Sequence, residues 1–131
     1  MEGDPGRLLL VDDDEVGLKN TARFLRRKGH ETTVASGGKE ALEKIRKDCF
    51  DLILTDLVMD EVDGLGVLDY AKRNSPDTEV IILTGYAAVP SAIEAMKKGA
   101  YHYLQKPLRL LLRQAHFFQV FTGSTVEQNR V

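Results

Sequence analysis

Five short apolar segments, separated by amphipathic stretches, constrain the fold of this 131-residue chain more than any other feature of its sequence. Each is five or six residues long and almost continuously apolar, which is typical of strands buried on both faces of a sheet. The segments are Arg7–Asp12, Glu31–Ala35, Asp51–Asp56, Glu79–Thr84 and Ala100–Leu104. We therefore predict a sheet of five strands.

The stretches that alternate with these segments carry apolar residues at helical spacing. Strand–helix alternation at this spacing implies right-handed crossovers and a parallel sheet with helices on both faces. We predict a doubly wound α/β domain over residues 1–121, followed by a polar tail or linker stub at residues 122–131. The predicted helices are Glu15–Lys28, Gly38–Lys47, Leu65–Arg73, Val89–Lys98 and Leu108–Phe121.

Composition and charge exclude several classes of function. The 18 basic and 20 acidic residues give a net charge of -2, so no basic excess exists to drive direct nucleic-acid binding. The single cysteine, Cys49, excludes a disulfide framework and a cysteine-rich zinc site, and we predict that it is a small buried residue. No apolar stretch approaches the roughly 18 residues that span a membrane, and the first residues are not a signal peptide. We therefore expect a cytoplasmic protein.

Polar side chains follow the predicted strands at their carboxyl ends, the edge where such sheets bind ligands. Clustered carboxylates repel one another unless a cation lies among them, and an acidic cluster without Cys or His suits Mg²⁺. Ammonium and hydroxyl donors suit phosphoryl oxygens, and an aspartate in such a site can itself accept a phosphoryl group. The residues at this edge are Asp12, Asp13, Asp14, Asp56, Thr84 and Lys106.

Several motifs, in this order and spacing, make the chain resemble the receiver domain of two-component response regulators. The resemblance covers residues 7–112 and implies a flavodoxin-like strand order, 2-1-3-4-5. Part of the pattern looks like receivers of enhancer-binding transcription activators. The motifs are Leu10-Val11-Asp12-Asp13-Asp14, Asp51–Asp56, Met59 with Asp63-Gly64-Leu65, Ile82–Tyr86, and Gly99–Pro107.

The resemblance implies a metal-assisted phosphorylation site. Asp56 would be the phosphoryl acceptor. Asp13 and Asp56 would supply carboxylate oxygens to Mg²⁺, and the backbone carbonyl of Val58 would be a third ligand. Asp12 would act mainly through a metal-bound water. At Asp60 the chain departs from the family pattern, in which a proline usually follows the methionine corresponding to Met59.

The resemblance also implies a switch. Lys106 would pair with the phosphoryl group, and Thr84 would donate its hydroxyl to it. Tyr103 would be the aromatic switch residue that turns inward when Thr84 moves. The added charge would thereby change the surface formed by the fourth helix, the last strand and the last helix.

The expected partners follow from the same resemblance. A sensor histidine kinase, or a small donor such as acetyl phosphate, would supply the phosphoryl group. The apolar residues of Leu108–Phe121 are too many for one core-facing stripe: either this helix packs more widely, or it forms a homodimer interface or a contact to an output domain that is absent from this chain. The chain would catalyse only its own phosphorylation and dephosphorylation, without an external product.

Two alternatives stay open at this point. One is a receiver-like interaction module that is not phosphorylated, although the full set of site residues argues against lost chemistry. The other is an aspartyl-phosphate phosphohydrolase. That class usually has a second acid two residues after the nucleophile, where this chain has Val58.

Overall fold

The structure, a computed structural model that describes residues 6–85 and 88–106, confirms the predicted doubly wound fold. Five parallel strands lie in the order β2-β1-β3-β4-β5, and four helices alternate with them. The predicted fifth helix and the tail lie outside the described residues, as do Tyr86 and Pro107. Within the described ranges, no helix is long and apolar enough to traverse a bilayer. The elements are β1 Arg7–Val11, α1 Glu15–Arg27, β2 Glu31–Ala35, α2 Gly38–Lys47, β3 Leu52–Thr55, α3 Gly64–Asn74, β4 Glu79–Thr84, α4 Val89–Lys97 and β5 His102–Gln105.

Alternate residues of the central strands enter two separate cores, because successive side chains of a strand point to opposite faces. On β1, Leu8 and Leu10 pack with buried residues of α1, whereas Leu9 and Val11 pack with residues of α2, α3 and α4. All four are at most 4% exposed. Helices therefore cover both faces of the sheet, as the nearly continuous apolar segments predict.

Two local predictions are corrected by the structure. The last strand begins at His102 rather than Ala100, because the backbone amide of Ala100 donates to the Ala95 carbonyl and closes the end of α4. Cys49 is exposed rather than buried. It lies in the turn before β3, where its carbonyl accepts a hydrogen bond from the Arg7 guanidinium at 2.8 Å, while the adjacent Phe50 is buried.

The outer edge of β2 is covered by two basic side chains. The carbonyl of Ala35 points towards β1, where it accepts from Asp12, so the carbonyls of Thr32 and Val34 point outward. The Arg26 guanidinium on α1 donates to the first of these at 2.7 Å, and the Lys44 ammonium on α2 donates to the second at 2.6 Å. Unpaired edge groups are templates for strand addition, so these contacts protect the edge.

Removing both contacts is expected to promote self-association. An Arg26→Gln/Lys44→Gln variant should lose about 1–2 kcal/mol of unfolding free energy and form concentration-dependent oligomers, which light scattering would detect. The control, Arg27→Gln/Lys47→Gln, removes two charges from the same helices and leaves both carbonyl contacts in place. Equal association of the two variants would attribute the effect to charge rather than to the exposed edge.

Candidate functional site

Three carboxylates converge at the carboxyl edge of the sheet. Asp12 directly follows β1 and Asp56 directly follows β3; these strands are neighbours, with Val11 paired to Thr55. Asp13 completes the group, and one carboxylate oxygen from each residue lies within 4.8 Å of the others. Asp12 is buried, Asp56 is partly buried and Asp13 is exposed, so the cluster opens to solvent on one side.

Lys106 brings a positive charge to two of these carboxylates. It follows β5, and its Nζ lies 2.7 Å from Oδ2 of Asp12 and 3.5 Å from Oδ2 of Asp56. The side chains of Asp12 and Asp56 are 10% and 14% exposed, whereas that of Lys106 is 35% exposed. The ammonium therefore bridges two poorly solvated acids from the solvent side.

Hydrogen bonds orient the bridged carboxylates. The Asp14 amide donates to Oδ1 of Asp12 at 3.0 Å, and the Leu57 amide donates to Oδ1 of Asp56 at 2.8 Å. Thr84, buried at the end of β4, interacts with the Asp56 carboxylate closely enough to lower its pKa. The sequence predicts Thr84 at this edge. The contacts of the Asp14 and Leu57 amides were not predicted, because backbone hydrogen bonds do not depend on residue type in a recognisable way.

The ionisation of the site follows from burial and charge. Burial raises the pKa of Asp56 above its usual value; the Lys106 charge opposes this and the Asp12 charge adds to it. For Lys106, burial lowers the pKa, but the hydrogen bond and charge of Asp12 and the charge of Asp56 outweigh it, so the net shift is upward. The site thus holds the Lys106 ammonium beside the Asp56 carboxyl group, whose ionised form is destabilised by burial.

Removing that charge is expected to stabilise the metal-free fold. A raised pKa means that the folded protein binds the Asp56 proton more tightly than the unfolded chain does, so stability falls as pH rises through the interval between the two pKa values. In a chelator at pH 7, Asp56→Asn should therefore melt at a higher temperature than the wild type. The gain should disappear below pH of about 4, where the unfolded chain is also protonated. Asp77→Asn, at an exposed position before β4, is the control. Lower stability of Asp56→Asn at pH 7 would contradict the argument.

The three carboxylates fit a hard divalent cation. Mg²⁺ holds oxygen ligands at about 2.1 Å in octahedral geometry, so its ligand atoms are at most about 4 Å apart. The spacing within 4.8 Å approaches this requirement, and a donor set of oxygens alone matches the preference of the ion. Val58 lies two residues beyond Asp56 and is 58% exposed. The contribution of its carbonyl stays a prediction.

Tyr103 lies apart from the carboxylates. It is on β5 beside Ile82 of β4 and packs partly buried against the core on the α2–α4 side. Its hydroxyl contacts the start of α4 through Ser91, at 2.7 Å. The sequence places Tyr103 on the last strand but gives no indication of Ser91, which carries no motif.

Comparisons with known proteins agree with this geometry. The family described as response regulator receiver domain matches residues 8–115. The transcriptional regulatory protein ZraR of Klebsiella oxytoca is 42% identical over 108 residues, which are 82% of this chain and 24% of that protein. The chain thus spans about a quarter of the length of the curated relatives it matches.

Two solved structures share the fold. A response regulator from Burkholderia pseudomallei, with a phosphorylated aspartic acid, a calcium ion and citrate, aligns with a TM-score of 0.77 and 29% identity; the match covers 95% of this chain and 70% of that one. The response regulator TrrA from Thermotoga maritima, in complex with Mg²⁺ and BeF, aligns with a TM-score of 0.76 and 26% identity, over 87% and 97% of the two chains.

Proposed function

The chain belongs to the family of response regulator receiver domains, and on this basis we propose that Asp56 is its phosphoryl acceptor, in a site completed by Mg²⁺. The observation that carries the proposal is the convergence of three carboxylates with the Lys106 ammonium at one edge of the sheet. A sensor histidine kinase is the proposed physiological donor, and acetyl phosphate is a small-molecule substitute.

The reaction is a transfer between two oxygen atoms when acetyl phosphate is the donor. A carboxylate oxygen of Asp56 attacks phosphorus, the bond from phosphorus to the acetyl oxygen breaks, and acetate leaves with the electron pair. Mg²⁺, held by the carboxylates of Asp12, Asp13 and Asp56, would offset the negative charge of the phosphoryl oxygens. The Leu57 amide holds Oδ1 of Asp56, so that Oδ2, on the side of Lys106, is placed for attack.

Lys106 and Thr84 are the proposed partners of the transferred group. The Lys106 ammonium is already 3.5 Å from Oδ2 of Asp56, and the Thr84 side chain is close enough to lower the pKa of the same carboxyl. Both can therefore donate to phosphoryl oxygens after small movements. Asp12 and Asp13, with the Val58 carbonyl, are proposed to hold the ion, and Tyr103 to relay the change.

Neither alternative gains a specific observation. An aspartyl-phosphate phosphohydrolase usually has a second acid two residues after the nucleophile, and the residue at that position is the exposed apolar Val58. A module without phosphorylation would not require three carboxylates and an ammonium to converge. The proposed activity is therefore confined to phosphorylation of the protein's own aspartate. The homodimer predicted through the last helix stays a proposal, because that helix lies outside the described residues.

Intact mass after incubation with Mg²⁺ and acetyl phosphate tests the proposal. The wild type should gain one phosphoryl group, and Asp56→Ala should gain none. Asp77→Ala, which removes an exposed acid before β4, should behave like the wild type. If Asp56→Ala still gained a phosphoryl group, another residue would be the acceptor. If neither acetyl phosphate nor a phosphorylated kinase labelled the wild type, the proposed function would be refuted.

A further inference from the structure

Three polar groups close a ring of hydrogen bonds where β5 meets the start of α4. The Tyr103 hydroxyl lies 2.7 Å from Oγ of Ser91, and the Ala88 amide donates to that same hydroxyl at 3.4 Å. Oγ of Ser91 donates to the Ala88 carbonyl at 3.1 Å. The ring thus joins one strand residue to the residue that precedes α4 and to one residue of its first turn.

The direction of each bond follows from counting protons. A serine hydroxyl has a single proton, and that of Ser91 is used on the Ala88 carbonyl. The bond between Tyr103 and Ser91 must then use the tyrosine proton, so Tyr103 donates to Ser91 and accepts from the Ala88 amide. Each of the two hydroxyls therefore donates one hydrogen bond and accepts one. Because both bonds of the Tyr103 hydroxyl end on groups of the helix start, they fix the position of the tyrosine oxygen.

The ring stands where the helix lacks an ordinary cap. Ala88 is the N-cap residue of α4, and no side chain caps the helix there. Serine, threonine, aspartate or asparagine would normally serve at this position. Here the tyrosine of the neighbouring strand and the serine of the first turn hold the Ala88 amide and carbonyl instead. The start of α4 therefore depends on where Tyr103 lies.

The same helix presents an apolar surface to solvent. Val89, Ile93 and Met96 are 72%, 51% and 48% exposed, and Ala95 is the buried residue of this helix. On the other side of the ring, Tyr103 pairs with Ile82, two residues before Thr84. The ring thus lies between β4, the strand that ends at Thr84, and the exposed helix.

We propose that Ser91 is a positioning residue of the switch: through this ring its hydroxyl couples the placement of Tyr103 to the start of α4. The inference rests on the proposed function, because it concerns how the state of Asp56 reaches the helix. When Tyr103 moves, the ring opens: the Ala88 amide loses the tyrosine oxygen, and the Ser91 hydroxyl, which holds the Ala88 carbonyl, loses its second partner. When Ser91 has no hydroxyl, only the longer contact from the Ala88 amide, at 3.4 Å, joins Tyr103 to the helix, so movement of Tyr103 changes the helix less.

The ring is tested first in the unphosphorylated full chain, by hydrogen exchange of the Ala92 amide, which bonds to the Ala88 carbonyl at 3.0 Å. Ser91→Ala and Tyr103→Phe should each speed exchange about fivefold, the effect of one lost hydrogen bond. The double variant should exchange no faster than either single one, because each substitution already opens the ring. Ser91→Thr, which keeps the hydroxyl, should stay within about twofold of the wild type. Unchanged exchange in Ser91→Ala, or effects that multiply in the double variant, would overturn the ring.

The coupling is tested by adding Mg²⁺ and beryllofluoride. In the wild type, exchange should change both at Thr84 and at Ala92. In Ser91→Ala the change at Thr84 should persist, while the change at Ala92 should fall to less than half. A merely structural serine would shift both states equally and preserve the full Ala92 response, which would refute the proposal. Failure of the wild type to gain a phosphoryl group would instead refute the proposed function. That result is read from intact mass and not from hydrogen exchange, so the two refutations can be told apart.

Discussion

Lys106→Met is expected to have two effects of opposite sign: Mg²⁺ binds about tenfold more tightly, while phosphoryl transfer from acetyl phosphate slows by about 100-fold. Methionine approximates the length of the lysine stem without its charge. The variant therefore removes the ammonium that lies 2.7 Å from Asp12 and 3.5 Å from Asp56, with little change in the space that the side chain fills.

Both effects follow from the place of the charge. The ammonium partly neutralises the carboxylates that would hold the ion, so the two cations compete for the same negative charge. Two unit charges about 4 Å apart interact by about 1 kcal/mol in water and by more at a partly buried site, and 1.4 kcal/mol is tenfold in affinity. During transfer the same ammonium would face the phosphoryl oxygens, where losing one donor typically costs 10²–10³ in rate.

Titration with Mg²⁺ and a time course of intact mass would measure the two effects on the same samples. Lys97→Met, which removes an exposed charge on α4, should leave both unchanged. Weaker Mg²⁺ binding in Lys106→Met would mean that the lysine supports the acidic cluster rather than competing with the ion. Unchanged transfer would mean that it does not face the phosphoryl group.

The convergence of the site was predictable because it depends on topology. Parallel strands end at one edge, so residues that directly follow β1 and β3 must meet if those strands are neighbours, and Asp12 and Asp56 do. The alternation of Leu8 and Leu10 with Leu9 and Val11 was predictable for a similar reason, since a continuous apolar strand must be covered on both faces.

Other features depend on distances between elements, which residue spacing does not encode. The helical pattern at Val89, Ile93 and Met96 predicts α4 correctly, yet these residues are largely exposed. Ser91 and Tyr103 are twelve residues apart on different elements, and only the docking of β5 against α4 brings their oxygens to 2.7 Å. Cys49 has a buried neighbour in sequence, but the turn before β3 points it outward.

Gly64 shows how closely the loop after the acceptor returns to it. The Gly64 amide donates to the Leu57 carbonyl at 2.8 Å, which closes the loop between β3 and α3. A Cβ at position 64 would overlap the Asp56 carbonyl oxygen and would lie 2.9 Å from Cα of Leu57. Both are backbone atoms, so no side-chain rotation relieves the contact.

Gly64→Ala is therefore expected to reduce the unfolding free energy by about 3 kcal/mol and to weaken Mg²⁺ binding. The methyl group must displace the backbone that carries the Asp56 carboxylate, and that carboxylate is one of the three in the cluster. Urea denaturation would give the stability change as a lower midpoint at constant slope, and Mg²⁺ titration of the folded variant would give the second effect.

Gly37→Ala separates this contact from the general cost of replacing glycine. Gly37 precedes α2 in an extended conformation, φ 172°, and an added Cβ would meet nothing within 4 Å. It should lose at most about 1 kcal/mol, because alanine is a poorer N-cap than glycine, and it should bind Mg²⁺ as the wild type does. If Gly64→Ala matched Gly37→Ala in both measurements, the loop between β3 and α3 would accommodate the added methyl group without cost. The position of Asp56 would then not depend on this loop. If Gly64→Ala lost stability but kept its Mg²⁺ affinity, the strain would be absorbed by α3 and the carboxylate would be held from β3 alone.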